Sequence, residues 1–258
     1  MGVLNVTPDS FSDGGLHLDP ERAVEHALEM IAQGADLVDV GGESTRPGAE
    51  PVSAKEELRR VLPVLEPLVA AGVPISVDTY KPEVAQECLE LGVHMINDIT
   101  GLRNPKMAEV IAQYQAAVCI MHMQGTPQTM QRNPQYVDVV REVGAFLREQ
   151  AAFAERTGVD REAIVVDPGI GFGKTLEHNL ALLRHLRTFT EFGYPVLVGP
   201  SRKSFIGRIL GNVPPDQRLE GTAASVAVAI AHGANLIRVH DVAFMAKVAR
   251  VADAIVHG

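Results

Sequence analysis

Polar side chains able to bind a ligand or move a proton recur where short apolar runs end. Asn5, Asp78, Asn97, Asp98, Asp167, Arg238 and His240 all fall at or near such ends. Singly, each is as well explained by a satisfied strand-end polar group or a helix cap. Repeated along the chain, they imply one shared site of carboxylates, amides and cations. Arg238 and His240 are two residues apart, so on a strand they point the same way and together suit an anion. His240 by itself reads equally well as a hydrogen-bonded imidazole.

The elements that must carry these groups follow a rhythm. Gly34, Gly72, Gly92, Gly158, Gly193 and Gly233 each close a helix-like stretch, and a β-branched or aliphatic run follows within a few residues. The runs are Val3 to Val6, Leu37 to Gly41, Ile75 to Asp78, Met95 to Asp98, Val118 to Met121, Ile164 to Asp167, Val196 to Gly199 and Leu236 to His240. Short and nearly continuous in apolar character, they predict parallel strands covered by helices. Asp19-Pro20 and Asn104-Pro105 predict capped helix starts, and Ser53 to Glu56 fits a capping box. Eight strand-helix units point to an α/β fold of the TIM-type (β/α)8 barrel class, as one domain over residues 1–258. An open doubly wound sheet built from the same units is the alternative that the period alone leaves standing. A barrel places its active site at the C-terminal strand ends, where the polar residues fall.

Bulk properties narrow the partners. A net charge of -9 argues against nucleic acid, whose phosphates call for a dense Lys/Arg surface. The two cysteines, Cys88 and Cys119, show no CxxC spacing and fit a reduced, cytoplasmic protein. No run approaches 18 apolar residues and the start lacks a signal-peptide pattern, so neither membrane insertion nor export is expected. GFGKT (Gly171 to Thr175) imitates a nucleotide-binding loop, but the first glycine of that motif would fall on Pro168, and ATP binding is rejected. His122 has no partner at metal-ligand spacing and reads as structural.

Segments at nearly every predicted strand end together resemble the dihydropteroate synthase family. In order they are Asn5 to Gly15 (NVTPDSFSDGG), Gly41 to Gly48 (GGESTRPG), Ser76 to Lys81 (SVDTYK), Ile96 to Ile99 (INDI), Met121 to Thr126 (MHMQGT), Asp167 to Thr175 (DPGIGFGKT), Ser201 to Gly207 (SRKSFIG) and Arg238 to Val242 (RVHDV). Family members usually carry a further segment before the first strand, which bears on how the bottom of the barrel is plugged.

The resemblance implies a transferase of folate biosynthesis that joins a hydroxymethyl-dihydropterin diphosphate to p-aminobenzoate and releases pyrophosphate. It implies a pterin site of Asp78, Asn97, Asp167 and Lys203, with Ile99, Met121 and Phe172 as apolar walls and Gly199 beside them. Such a set supplies the acceptors and donors that a pterin edge needs. Asp78, Asp167 and Lys203 are then the catalytic groups. Asn5 as the Mg²⁺ contact, with Thr45, Arg46, Arg238 and His240, would hold the diphosphate. Thr45, Pro47, Phe172, Arg202, Lys203 and Ser204 would form the p-aminobenzoate pocket, and the loops Ser10 to Gly15 and Gly41 to Gly48 would be lids. The same resemblance implies a homodimer through the Ala/Val-rich stretches Thr222 to Gly233 and Ala243 to Val256. Two rivals remain in view: a methyltetrahydrofolate to corrinoid methyltransferase, which lacks the SRKSFIG and GGESTRPG segments, and a non-catalytic pterin-binding module.

Overall fold

The computed structural model describes residues 1–7, 19–45 and 48–258. In chain order the described elements are β1 (Gly2–Asn5), α1 (Pro20–Ala32), β2 (Val38–Gly41), α2 (Ala54–Ala70), β3 (Ile75–Asp78), α3 (Pro82–Leu91), β4 (Met95–Asp98), α4 (Pro105–Tyr114), β5 (Ala117–Met121), α5 (Val139–Thr157), β6 (Ile164–Asp167), α6 (Leu176–Arg184), α7 (Arg187–Thr190), β7 (Leu197–Val198), α8 (Ser204–Ile209), α9 (Leu219–Ala231), β8 (Leu236–Ile237) and α10 (Val242–His257). Two short helices, α7 and α8, therefore interrupt the simple alternation.

Strands β1 to β6 pair in sequence order, all parallel, and β7 pairs with β8. Two isolated parallel bridges close the circle: Val166 with Val196 and Gly2 with Val239. Backbone bonds secure both seams, with Val166 N–H donating to Pro195 O at 2.9 Å and Val3 N–H to Val239 O at 3.0 Å. The closed barrel excludes the open sheet. Strands β7 and β8 are shorter than the sequence runs suggest, although Arg238 N–H still donates to Val198 O at 3.0 Å.

Local signals explain the turns between elements. Gly92 and Gly158 cap α3 and α5 in the left-handed region at φ +109° and +107°, where a Cβ would be strained. Asp19 accepts from the Glu21 and Arg22 amides and Asn104 from that of Lys106, as expected of N-caps. Ser53 accepts from the Glu56 amide, but the Glu56 carboxylate turns to Arg59 and Arg60 instead of closing the box. A reciprocal capping box forms at Thr175 and His178, at the head of α6.

Alternation along each strand separates two environments. Val38, Val40, Val77, Ile96, Val118, Ile120 and Val166 belong to the large outer core that also includes Val61, Leu65, Leu68 and Leu147 from the helices. A second cluster, Met95, Cys119, Val165 and Leu197 with Met1, Leu37, Ala117 and Leu236 against it, occupies the strand positions nearer the start of the chain's strands. Two residues further along come Asp39, Asn97, Met121, Asp167, Gly199 and Arg238, on the same strands or directly after them.

Candidate active site

The site is built from strand ends in register. Asn5 pairs across from Gly41, Gly41 from Asp78, and Asp78 from Asn97. A Cβ on Gly41 would meet the Asp78 side chain at 3.5 Å and Asn5 Oδ1 at 3.9 Å, so the missing side chain lets these two stand close. On the opposite side Met121 pairs across from Asp167.

Arg238 ties the polar ring together. Its Nε donates to Asp39 Oδ2 at 2.6 Å and its Nη2 to Asp78 Oδ2 at 2.9 Å, while Asn97 Nδ2 donates to the same Asp39 oxygen at 3.0 Å. Asp39 is fully buried, and the second oxygens of Asp39 and Asp78 have no hydrogen-bond partner among the described residues. Burial works against the Arg238 charge, but Asp39 and Asp78 outweigh it and keep the guanidinium protonated. Burial pushes the Asp78 carboxyl upward, with Arg238 pulling the other way and Asp39 and Glu57 adding to the rise. Gly199 lies alongside, where a Cβ would stand 3.7 Å from that of Arg238.

Asp167 and Lys203 form the other half. Asp167 Oδ1 accepts from Gly169 N–H at 2.7 Å, and burial lifts its pKa to about 6 against the pull of that bond and of Lys174, Lys203 and Arg238. The Lys203 ammonium sits 3.9 Å from the centroid of the Phe172 ring, a cation-π contact. Its stem runs over Gly171, where a Cβ would approach Lys203 Cδ to 2.9 Å and the backbone is left-handed at φ +83°. Burial and Arg238 lower the Lys203 pKa to about 8, although Asp167 and Asp78 raise it. Ile99, Met121 and Phe172 pack together with Met123, Met130 and Tyr80, so the three expected walls do form one apolar surface.

His240 Nδ1 shares a 2.9 Å hydrogen bond with Ser201 Oγ, and burial, with Arg238, Arg202 and Lys203, drops its pKa to about 4, which favours a neutral imidazole beside Arg238. Arg202, at φ +56°, is exposed, and its Nε donates to Asp241 Oδ2 at 2.9 Å. Ser204 is exposed at the first residue of α8, and Thr45 is half-buried in the loop after β2. Arg46, Pro47 and the proposed lid Ser10 to Gly15 lie outside the described residues.

Sequence reasoning missed three groups. Asp39 orients both Arg238 and Asn97, and the available signal was a carboxylate inside the apolar run Leu37 to Gly41. Lys174 is 3% exposed between the loops after β5 and β6, where it bonds His122. Finally, Lys81 bonds both Glu43 and Glu57, Tyr80 OH donates to Glu43 Oε1 at 2.6 Å, and Val52 N–H donates to Glu43 Oε2 at 3.2 Å. That cluster gathers both ends of the loop carrying Thr45. Asp98 is a loop staple, accepting from the Thr100 amide and hydroxyl at 2.7 Å and from Leu102 N–H at 2.9 Å.

Comparison with known proteins is consistent with this geometry. The family model for pterin binding enzymes matches residues 1–240. The dihydropteroate synthase of Escherichia coli (strain K12) is 52% identical over 255 residues, covering 98% of this chain and 90% of the relative. A solved Xanthomonas albilineans dihydropteroate synthase with 4-aminobenzoic acid superposes with a TM-score of 0.93 at 48% identity, covering 100% of this chain and 92% of that one. The same bacterium's enzyme in complex with 7,8-dihydropteroate gives a TM-score of 0.89 at 44% identity, covering 100% and 93%. The similarity runs along nearly the whole chain, with the polar ring at the mouth of a parallel barrel inside it, and the chain belongs to the dihydropteroate synthase family of pterin-binding enzymes.

Proposed function

We propose a division of labour among these residues for the family's reaction. The chain is a transferase of folate biosynthesis that condenses hydroxymethyl-dihydropterin diphosphate with p-aminobenzoate to give dihydropteroate and pyrophosphate. One observation carries the assignment: Asp167 and Lys203 flank the apolar surface of Ile99, Met121 and Phe172, across the barrel mouth from Asp78 and Asn97. A flat heterocycle with N–H donors on one edge and a carbonyl on another needs such a set. Asp167 accepts from the ring N–H and amino groups, Lys203 donates to the carbonyl, and Asn97 and Asp78 face the remaining ring nitrogens.

In the reaction the bond from the pterin methylene carbon to the diphosphate oxygen breaks and a bond from that carbon to the amine nitrogen forms, with the amine proton passing to solvent. Positive charge developing on the pterin is stabilised by the Asp78 and Asp167 carboxylates. Arg238 lies beside the departing diphosphate, and His240 offers it a neutral hydrogen bond. Among the described residues no group of three or more His, Cys, Asp or Glu could hold a metal by itself. Asn5 would hold Mg²⁺ through its hard amide oxygen, a ligand type that this cation takes alongside phosphate oxygens and water. When bound, it would neutralise charge on the leaving group. Thr45, Phe172, Arg202, Lys203 and Ser204 are the described residues that line the proposed p-aminobenzoate pocket.

A homodimer fits the apolar side chains left exposed on the last two helices, Val228, Phe244, Val251 and Ile255. No helix among the described residues is long and apolar enough to cross a membrane. Incubating the protein with the pterin diphosphate, p-aminobenzoate and Mg²⁺ while following pyrophosphate tests the reading. Release that requires both substrates is expected, and release without p-aminobenzoate, or none at all, would refute it.

A further inference from the structure

Lys174 is buried without a carboxylate in contact. Its Nζ donates to Phe172 O at 2.8 Å and to His122 O at 3.2 Å, and it lies 3.1 Å from His122 Nδ1. Three acceptors match the three N–H bonds of an ammonium. His122 can accept because burial, with Lys174 and Arg103, lowers its pKa to about 3 and leaves it neutral. Burial draws Lys174 itself down to about 7, while Asp167 supports its charge and Lys203 and Arg103 oppose it.

These bonds join two loops that touch the pterin surface. His122 follows Met121 at the end of β5, and Phe172 and Lys174 follow Asp167 at the end of β6. The loops approach so closely that a Cβ on Gly169 would lie 2.0 Å from His122 O and 3.3 Å from Lys174 Nζ, and one on Gly173 would lie 2.7 Å from Gln124 O. Further bonds run the same way, from Gln131 Nε2 to Gly171 O and from Tyr136 OH to Gly173 O, each at 2.8 Å. Lys174 is the charged member of this seam, and the Gly169 amide beside it is the one that Asp167 accepts from.

We propose that Lys174, held by His122, is a positioning residue for the pterin site: its buried ammonium locks the loops after β5 and β6 together, fixing Phe172 and keeping the Asp167 carboxylate ionised for the ring. The inference rests on the proposed reaction. A neutral side chain in its place would remove a positive charge that faces Asp167, leaving Lys203, Arg103 and Arg238 as the cations around the seam. Asp167 would then protonate at higher pH and lose its ability to accept.

The test is Lys174→Met against wild type, with kcat/KM for the pterin diphosphate followed from pH 5 to 9 and folding checked by circular dichroism. At least a tenfold loss at pH 7 is expected, carried more by KM than by kcat, with the acid limb displaced upward by half a pH unit or more. A folded variant within twofold of wild type, or one whose acid limb stays in place, overturns the proposal, since a merely structural lysine would not move that limb. Should Lys174→Met fail to fold, His122→Asn and His122→Leu decide. The asparagine keeps an acceptor for Lys174 and should stay within threefold of wild type, the leucine should lose tenfold, and equal values would overturn the idea. Wild-type protein that releases no pyrophosphate would bring down both this inference and the proposed function, whereas turnover unaffected by Lys174→Met brings down this inference alone.

Discussion

Two layers inside the barrel are separated by a single step of two residues along each strand. Leu37, Met95, Val165, Leu197 and Leu236 form or pack against an apolar layer, and Asp39, Asn97, Asp167, Gly199 and Arg238 follow them on the same segments. The lower layer is held by dispersion and exclusion of water, which tolerate changes of shape only at the cost of a cavity. The upper layer is held by a few charge-assisted bonds and leaves Asp39 Oδ1 and Asp78 Oδ1 without partners among the described residues. One layer stabilises the molecule, and the other keeps unmet hydrogen-bonding capacity for a ligand.

Removing the tie in the upper layer is expected to have the largest effect. Arg238→Met leaves Asp39 and Asp78 buried together with no cation between them, which by analogy with broken buried ion pairs costs about 3–5 kcal/mol. Urea denaturation of the variant measures it, and a loss below about 1 kcal/mol would mean that water reaches the acids easily. Arg238 is thus structural as well as a proposed diphosphate ligand, so loss of activity in such a variant counts toward that proposed role only at temperatures where it is folded.

Cutting the lower layer should reverse the pattern. Leu197→Ala creates a cavity at a fully buried position and is expected to cost about 2–4 kcal/mol. Activity per folded molecule should fall by no more than about threefold, because no side chain of the upper layer loses a partner. Thermal denaturation alongside kcat/KM separates the two effects, and a tenfold loss of activity would show that the layers are coupled.

The smallest effect concerns charge at the mouth. With Asp167 near pKa 6, Lys174 near 7 and Lys203 near 8, kcat/KM should rise with pH as Asp167 ionises and fall as Lys174 and then Lys203 deprotonate, giving a narrow bell with its top between the first two values. His240, with its pKa near 4, is neutral across that range. His240→Gln should therefore keep both limbs and lose less than about tenfold, whereas a vanished acid limb would assign it to the histidine.

How much was legible in the sequence follows from the range of the forces involved. Strands β3, β4 and β6 end where the residue pattern ends, at Asp78, Asp98 and Asp167, because a polar side chain after a β-branched run is a local signal. Helix caps at Asp19 and Asn104 are local in the same way. By contrast, the bond between Arg238 and Asp39 spans 199 residues, and nothing near either residue announces the other. Asp39 went unremarked because, flanked by Val38 and Val40, it reads as one more alternating strand position. The neutrality of His240 depends first on burial and then on its neighbour Arg238 and on Arg202 and Lys203 from another segment, and neither the burial nor that approach is announced by spacing along the chain. Lys174 lies within the segments GFGKT and DPGIGFGKT, but nothing in either gives it a role of its own.

The burial of Lys203 beside Arg238 has a practical consequence for chemical modification. An ordinary lysine near 10.5 is neutral in only about one molecule in three thousand at pH 7, while one near 8 is neutral in about one in eleven. Lys174 shares the lowered pKa but is sealed from solvent, and Lys203 is only half-buried. Among the lysine side chains, Lys203 should therefore react first with amine-directed reagents under mild conditions, which makes the proposed pterin site addressable by a covalent probe without an engineered cysteine.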